Sequence, residues 1–321
     1  MCDTLRRICR RGADIEFAKA IIQKGIDINQ PDSFGRTPLI VAVVYGRDNE
    51  MINLLLANGA DVNCGDKYHE TALTWAIDVS PNIELIEILL ASGARINHMT
   101  KRNNTALMKA VTMGQTGTVK FLVEHNACVN LIDKNGQSAL IKAVGVQPEI
   151  VKILLDAGAN INLIDKCRCT ALTYAAMDGQ NEIVQILLAA NANINHADGD
   201  GNTALIYAVA NNNIRMVKTL LDNSADINHV NKWQDHALLC ATVDVGIGIN
   251  VEIIKLLIDS GANIYHVNRR SETAVERIIG KKYVIQSIIE VLSIYIYKSM
   301  SNNYFNIIPK NVIRIVEQYL N

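Results

Sequence analysis

The nine residues LLDAGANIN at 154–162 recur along this chain as LLANGADVN (55–63), LLASGARIN (89–97), LLAANANIN (187–195) and LIDSGANIY (257–265). The last residue of each copy gives the series Asn29, Asn63, Asn97, Asn130, Asn162, Asn195, Asn228, Tyr265, at steps of 34, 34, 33, 32, 33, 33 and 37. A second marker keeps the same steps: Thr37-Pro-Leu, Thr71-Ala-Leu, Thr105-Ala-Leu, Ser138-Ala-Leu, Thr170-Ala-Leu, Thr203-Ala-Leu, His236-Ala-Leu and Thr273-Ala-Val. Two markers in register at a constant period mean an array of small units that share one design.

The letters within a unit specify helices. In EIVKILLDAGA (149–159), Ile150, Val151, Ile153, Leu154 and Leu155 recur at helical spacing, with Glu149, Lys152 and Asp156 opposite. The glycine after the leucines sits where a helix ends in a left-handed residue. Asn126, Asn191 and Ser224 replace it in three copies, and Ser224 is the weakest substitute. The Thr before Ala/Pro-Leu predicts an N-cap for a first helix. Each unit is therefore two short antiparallel helices and a turn. No unit can bury its apolar stripe alone, so neighbours must stack.

This period, with T-P/A-L and L-L-x-x-G-A-x-I-N, resembles the ankyrin repeat over about residues 1–297. The resemblance implies an all-α, right-handed solenoid of about nine units. We place an N-terminal cap unit at 1–31, seven regular repeats at 32–268 and a C-terminal cap unit at 269–297. The family's usual His after T-P-L is replaced by Ile40, Thr74, Met108, Ile141, Thr173, Ile206 and Leu239. Packing is expected to stand in for its hydrogen bonds. From Glu50, Glu84, Gly117, Glu149, Glu182, Arg215 and Glu252 to the closing Asn or Tyr is always 13 residues. Length therefore varies earlier in each unit, most in the loop DVGIGIN (244–250), a place where contacts to a partner are also affordable.

Bulk properties narrow the function. The 321 residues are 49% hydrophobic and 20% charged, with net charge −1, so nothing global draws the chain to nucleic acid or anionic lipid. The start MCDTLRRICRRGADIEF has charges where a signal peptide needs its apolar run. The segment YVIQSIIEVLSIYIY (283–297) is too short and too polar to span a bilayer. Seven scattered cysteines suit reduced thiols, and hence cytoplasm, with the nucleus as an alternative.

Candidate chemistry is sparse. DGDGN (198–202) starts like a calcium loop, but Thr203 and Val209 stand where Gly and Glu belong, so turn chemistry is the better reading. His98, His196, His229 and His266 follow the closing residues in separate repeats and cannot share one zinc ion. CRC (167–169) has no second pair. No pattern for catalysis or a cofactor is found; an enzyme subunit would need a catalytic partner. RRICRR (6–11) is read as the solvated face of a capping helix, with an acidic partner or an import signal as alternatives.

Binding is expected in the variable columns. The resemblance places partners on the concave side, on turn tips and first helices. The tip column reads Phe34, Tyr68, Arg102, Asn135, Cys167, Asp200, Trp233, Arg270. Aromatics and arginines are the types that carry binding energy. Tyr45, Trp75, Tyr174 and Tyr207 lie on first helices, either as contact residues or as half-buried packing. Beside the tips run Ser33, Lys67, Lys101, Lys134, Lys166, Gly199, Lys232 and Arg269, with Asp66, Asp133 and Asp165 expected to cancel much of the lysines' field. A protein partner bound by a monomer fits this surface, and nucleic acid does not.

After KSMSNNYF (298–305), the tail NIIPKNVIRIVEQYLN (306–321) reads as an amphipathic helix, either a cap or a docking element. Ile308-Pro309, Val312, Val316 and Tyr319-Leu320 resemble the first helix of an F-box, although Asn311 stands at the motif's Glu. The layout is similar to that of poxvirus-like ankyrin proteins with a truncated F-box, and the Ile- and Asn-heavy composition fits an AT-rich viral or parasite genome. That resemblance implies that the tail recruits a host Skp–cullin ubiquitin ligase in the host cytosol while the repeats hold a target.

Overall fold

The computed structural model describes residues 2–279 except 12–14, 47–48, 80–81 and 244–249. The loop at 244–249 and the tail residues Ile308, Pro309, Val312, Val316 and Leu320 lie outside the described residues. The described chain is all-α, with seventeen helices, no strand and one isolated bridge between Ile132 and Ser138. None of these helices is long and apolar enough to cross a membrane. The chain divides into two compact units, Met1–Lys166 and Cys167–Asn321.

In the first unit, α1 (Cys2–Arg11) and α2 (Ile15–Ile22) precede four helix pairs. These are α3 (Pro38–Val44) with α4 (Asn49–Ala57), α5 (Ala72–Val79) with α6 (Ile83–Ala91), α7 (Ala106–Thr112) with α8 (Thr116–Glu124), and α9 (Ala139–Ala143) with α10 (Pro148–Asp156). The second unit holds α11 (Ala171–Met177) with α12 (Asn181–Ala189), α13 (Ala204–Ala210) with α14 (Ile214–Asp222), α15 (Ala237–Ala241) with α16 (Val251–Asp259), and α17 (Ala274–Ile279). Each first helix packs on its own second helix and on neighbouring first helices: α3 on α5, α5 on α7 and α7 on α9, and separately α11 on α13 and α13 on α15. The short step from Asn130 to Asn162 is absorbed by α9, which has five residues where α7 has seven.

The repeated leucines are the core. Ile150, Val151 and Leu154 of α10 are fully buried, as are their counterparts Ile86 and Leu89, Leu122, and Leu187. Burying one such side chain stabilises by roughly 1.5–3 kcal/mol. The hydroxyls of Thr37, Thr105, Ser138 and Thr170 accept N–H bonds at the starts of α3, α7, α9 and α11. Thr203 makes no such bond, and at α15 the cap is an imidazole: His236 Nδ1 accepts from the Leu239 N–H at 3.1 Å. At the ends of α8, α12 and α14, Asn126, Asn191 and Ser224 hold φ of 65°, 62° and 65°.

One expectation is corrected. Packing does not everywhere replace the hydrogen bonding of the missing histidine. Thr74 Oγ1 donates to Thr71 O at 3.0 Å, and Thr173 pairs with the Thr170 hydroxyl at 3.0 Å in a reciprocal capping box. A β-branched hydroxyl at the third helical position reaches back to the cap, which the apolar residues at the other copies cannot do.

Candidate protein-binding face

Six of the turn tips are built around one acidic or amide side chain, and at the Arg102 tip the Thr100 hydroxyl accepts the Asn104 N–H at 3.2 Å instead. Asp32 Oδ1 accepts the N–H groups of Phe34 (2.8 Å) and Arg36 (2.9 Å), and Asp66 does the same for Tyr68 (2.8 Å) and Glu70 (2.9 Å). Asp133, Asp198, Asn231 and Asn268 repeat the arrangement. The second carboxylate oxygen is taken as well. It accepts from Arg36 at Asp32 (2.9 Å), from Trp75 Nε1 at Asp66 (3.2 Å), from Lys142 at Asp133 (2.7 Å) and from the Tyr207 hydroxyl at Asp198 (2.5 Å). Burial pushes the Asp133 carboxyl up, but the Lys142 ammonium and the Gln137 and Asn135 N–H groups outweigh it and hold the pKa below 3.8.

The expected cancellation of the tip lysines does not come from direct ion pairs. Asp66, Asp133 and Asp165 are buried, whereas Lys67, Lys101, Lys134 and Lys166 are exposed. Among the described residues no ion pair joins those four lysines to an acid; the tip pair that does form is Lys232 with Asp200 at 3.4 Å. DGDGN is likewise turn chemistry, since both oxygens of Asp198 serve its own turn and Tyr207.

Neighbouring tips are joined through backbone. In the first unit, Lys67 N–H donates to Phe34 O (3.1 Å), Lys101 to Tyr68 (2.8 Å), Lys134 to Arg102 (3.1 Å) and Lys166 to Asn135 (3.0 Å). In the second, Gly199 donates to Cys167 (2.8 Å), Lys232 to Asp200 (2.9 Å) and Arg269 to Trp233 (3.1 Å). The tips approach so closely that a Cβ on Gly35 would lie 2.7 Å from Lys67 N.

The closing asparagine, read from sequence only as a marker, is a clip between repeats. Asn63 Oδ1 accepts from Arg95 N–H (2.8 Å) and its Nδ2 donates to Gly93 O (3.0 Å). Asn29 and Asn130 make the same pair of bonds. The histidines that follow are a second fastening. Nε2 of His98 bonds His69 O (2.8 Å), and His196, His229 and His266 reach Arg168, Gly201 and Gln234 carbonyls. A carbonyl only accepts, so each Nε2 carries the proton.

The tip residues Phe34, Tyr68 and Trp233 are 61%, 65% and 50% exposed, and Arg102 and Arg270 are also exposed. The Arg36 guanidinium lies 4.9 Å from the Phe34 ring centroid. Trp75, Tyr174 and Tyr207 are half-buried on first helices, whereas Tyr45, expected on one, is the half-buried residue that caps the C-terminus of α3, because its position is four residues later in the repeat. Arg10 Nε donates to the Tyr45 hydroxyl (2.7 Å), and Arg6 donates to Gln30 O (2.7 Å). The arginines of α1 are therefore not simply a solvated face: Arg6 fastens α1 to the end of its own cap unit and Arg10 fastens it to the following repeat.

Two recesses open on the first unit. Arg6, Arg7, Arg10, Phe34, Arg36 and Tyr45 line one of about 350 Å³. The other, about 590 Å³, is lined by Tyr68, Trp75, Lys101, Arg102 and Lys134, with Glu70, Asp78 and Lys109 also in its wall. Lys109 was missed in the sequence, although it occupies the Trp75 position of the next repeat. Its ammonium lies 2.7 Å from Glu70, 2.5 Å from Asp78 and 5.9 Å from the Trp75 centroid.

A family model described as Ankyrin repeats (3 copies) matches residues 5–100, 79–165, 145–231 and 172–268. Comparison with curated proteins gave no match. Ankyrin repeats generally serve as protein–protein interaction modules and are typically non-catalytic.

Proposed function

The chain belongs to the ankyrin-repeat family, and from that premise we propose that it is a non-catalytic scaffold holding a protein partner on its turn tips and first helices. The observation that carries this reading is the contrast between fixed backbone and varied side chains at the tips. Backbone rungs lock each tip in place, while Phe34, Tyr68 and Trp233 stand half or more in water. A rigid platform with exposed aromatic anchors binds without a large ordering cost. Burial pushes the Cys9 and Cys240 thiols up to about 12, which keeps both protonated and unreactive.

The test is capture from a eukaryotic lysate by the full chain and by Phe34→Ser, Tyr68→Ser and Trp233→Ser variants, read by mass spectrometry with helicity checked by circular dichroism. Loss of specific proteins from folded variants supports the reading. An unchanged bound set from all three overturns it.

The tail supplies a second reading, an F-box-like adaptor to a Skp–cullin ligase. Its support is the run Ile308-Pro309, Val312, Val316, Leu320 in the sequence. Ligase subunits captured by the full chain and lost from a helical 1–300 truncation would establish it; their absence from both would remove it.

A further inference from the structure

We propose that the larger recess of the first unit recognises an extended acidic peptide segment, with one apolar or aromatic side chain in the groove beside Tyr68 and Trp75 and flanking carboxylates at Lys101, Arg102 and Lys134. The inference rests on the protein-binding reading above and gives the partner a chemistry.

Charge in this recess is sorted by depth. Lys109, with its side chain 13% exposed, is matched on the floor by Glu70 and Asp78. One cation against two carboxylates leaves the floor one negative charge in excess. The rim carries Lys101, Arg102 and Lys134, all exposed. Neither aspartate beside the rim makes an ion pair with it: Asp133 is neutralised by Lys142, and Asp66, bonded to its own turn and to Trp75, offsets only one of the three rim cations. An occupant therefore meets attraction for carboxylates at the edge and repulsion for them at the floor. That pattern selects acids flanking a neutral residue.

Geometry adds the remaining constraints. A recess of about 590 Å³ lies within the usual range for ligand sites and takes a few side chains, not a helix bundle or a duplex. Tyr68 and Trp75 supply the apolar wall. Lys101 N–H is fixed to Tyr68 O and Lys134 N–H to Arg102 O, so ring and cations stand in a set order before anything binds. Preorganisation of this kind favours a short extended segment, which loses much entropy on binding and needs a rigid receptor. A nucleic-acid strand fits less well: its phosphates would face the excess carboxylate on the floor.

Each exposed ion pair is worth about a two- to fivefold change in affinity, and reversing a charge replaces attraction by repulsion. The experiment is a positional-scanning library of fluorescein-labelled decapeptides titrated against the full chain by fluorescence polarisation at 50 and 300 mM NaCl. The expected consensus has Asp or Glu flanking an apolar or aromatic residue, with binding weakened severalfold at the higher salt. Lys101→Glu/Arg102→Glu/Lys134→Glu should weaken the best peptide by about 10- to 100-fold. The matching triple Gln variant guards against misfolding and should weaken it less. Arg215→Glu/Lys218→Glu on the exposed side of α14, a second helix away from the tips, should leave it unchanged.

A library without acidic preference, or a consensus indifferent to both triple variants, overturns the proposal. So does a single-stranded oligonucleotide that competes at the same site more tightly than the best peptide. If the Ser variants at the tips still abolish protein capture while the library shows no acidic preference, the acidic-peptide assignment fails and the binding-face reading stands. If the tips do not affect capture, the failure belongs to the binding-face reading.

Discussion

Asn63→Ala should weaken one interface between repeats and leave the helices on either side intact. The side chain makes two bonds to the next repeat, to Arg95 N–H at 2.8 Å and to Gly93 O at 3.0 Å. A net hydrogen bond contributes about 1 ± 0.5 kcal/mol, so truncation should cost about 1–2 kcal/mol. The lower end is expected, because Asn63 is only half-buried and water can reach part of what it leaves behind. Asn130→Ala removes the equivalent pair, to Asn160 N–H at 2.7 Å and Gly158 O at 3.1 Å, from a different interface of the same unit. The two losses should add to about 2–4 kcal/mol, since the sites share no partner. Asn58→Ala is the control: its amide donates to Leu54 O at 2.8 Å, within the end of its own helix and not across to the next repeat. Urea unfolding measures all three, and amide exchange should show lost protection at Arg95 for Asn63→Ala but not for Asn58→Ala. If Asn63→Ala and Asn130→Ala both fall within about 0.3 kcal/mol of the parent, the clip contributes nothing and the repeated Asn needs another explanation.

Further expectations concern stability, pH and the groove. Ser224→Gly should stabilise by roughly 0.5–1 kcal/mol, because the left-handed φ of 65° costs an L-residue and not glycine; an unchanged urea midpoint would refute it. Lys109→Met should cost roughly 1–2 kcal/mol by leaving Glu70 and Asp78 unpaired, less than for a fully buried pair because Asp78 keeps 32% of its side chain in water. Its measure is the urea midpoint, and the loss should shrink in the double variant Lys109→Met/Asp78→Asn. Burial lowers the His236 pKa from 6.5, and nearby His266 adds to this, against the Asn263 carbonyl and Asp235, which raise it. The folded-state pKa lies below the unfolded one, so this contribution is fully present above pH 6.5 and is lost as pH falls below it through the folded pKa. His236→Thr should remove that part of the loss, seen by comparing midpoints at pH 8 and pH 5.

The fold was legible because its determinants are local and repeated. The stripe in EIVKILLDAGA, the Thr before Ala-Leu and the left-handed position filled by Gly, Asn or Ser each constrain a few adjacent residues, and many copies agree. The tip column was legible for the same reason, since the turn register fixes which residue lies two after the Asp. What escaped was the direction of the polar ends. Trp75 and Tyr207 were open to reading as contact residues or packing and Lys142 drew no reading, yet their donors turn inward to Asp66, Asp133 and Asp198, in each case nine residues earlier. The signal was present as an acid followed at that spacing by a donor, but it links the tip to the first helix across the cap and has no helical or strand period. Once those acids are assigned inward, the lysines beside them change meaning. In the first unit, a stripe that read as self-neutralised becomes an edge of exposed cations that make no ion pair with the acids beneath them, and the pairing hidden beneath the tips decides which charges the face presents to a partner.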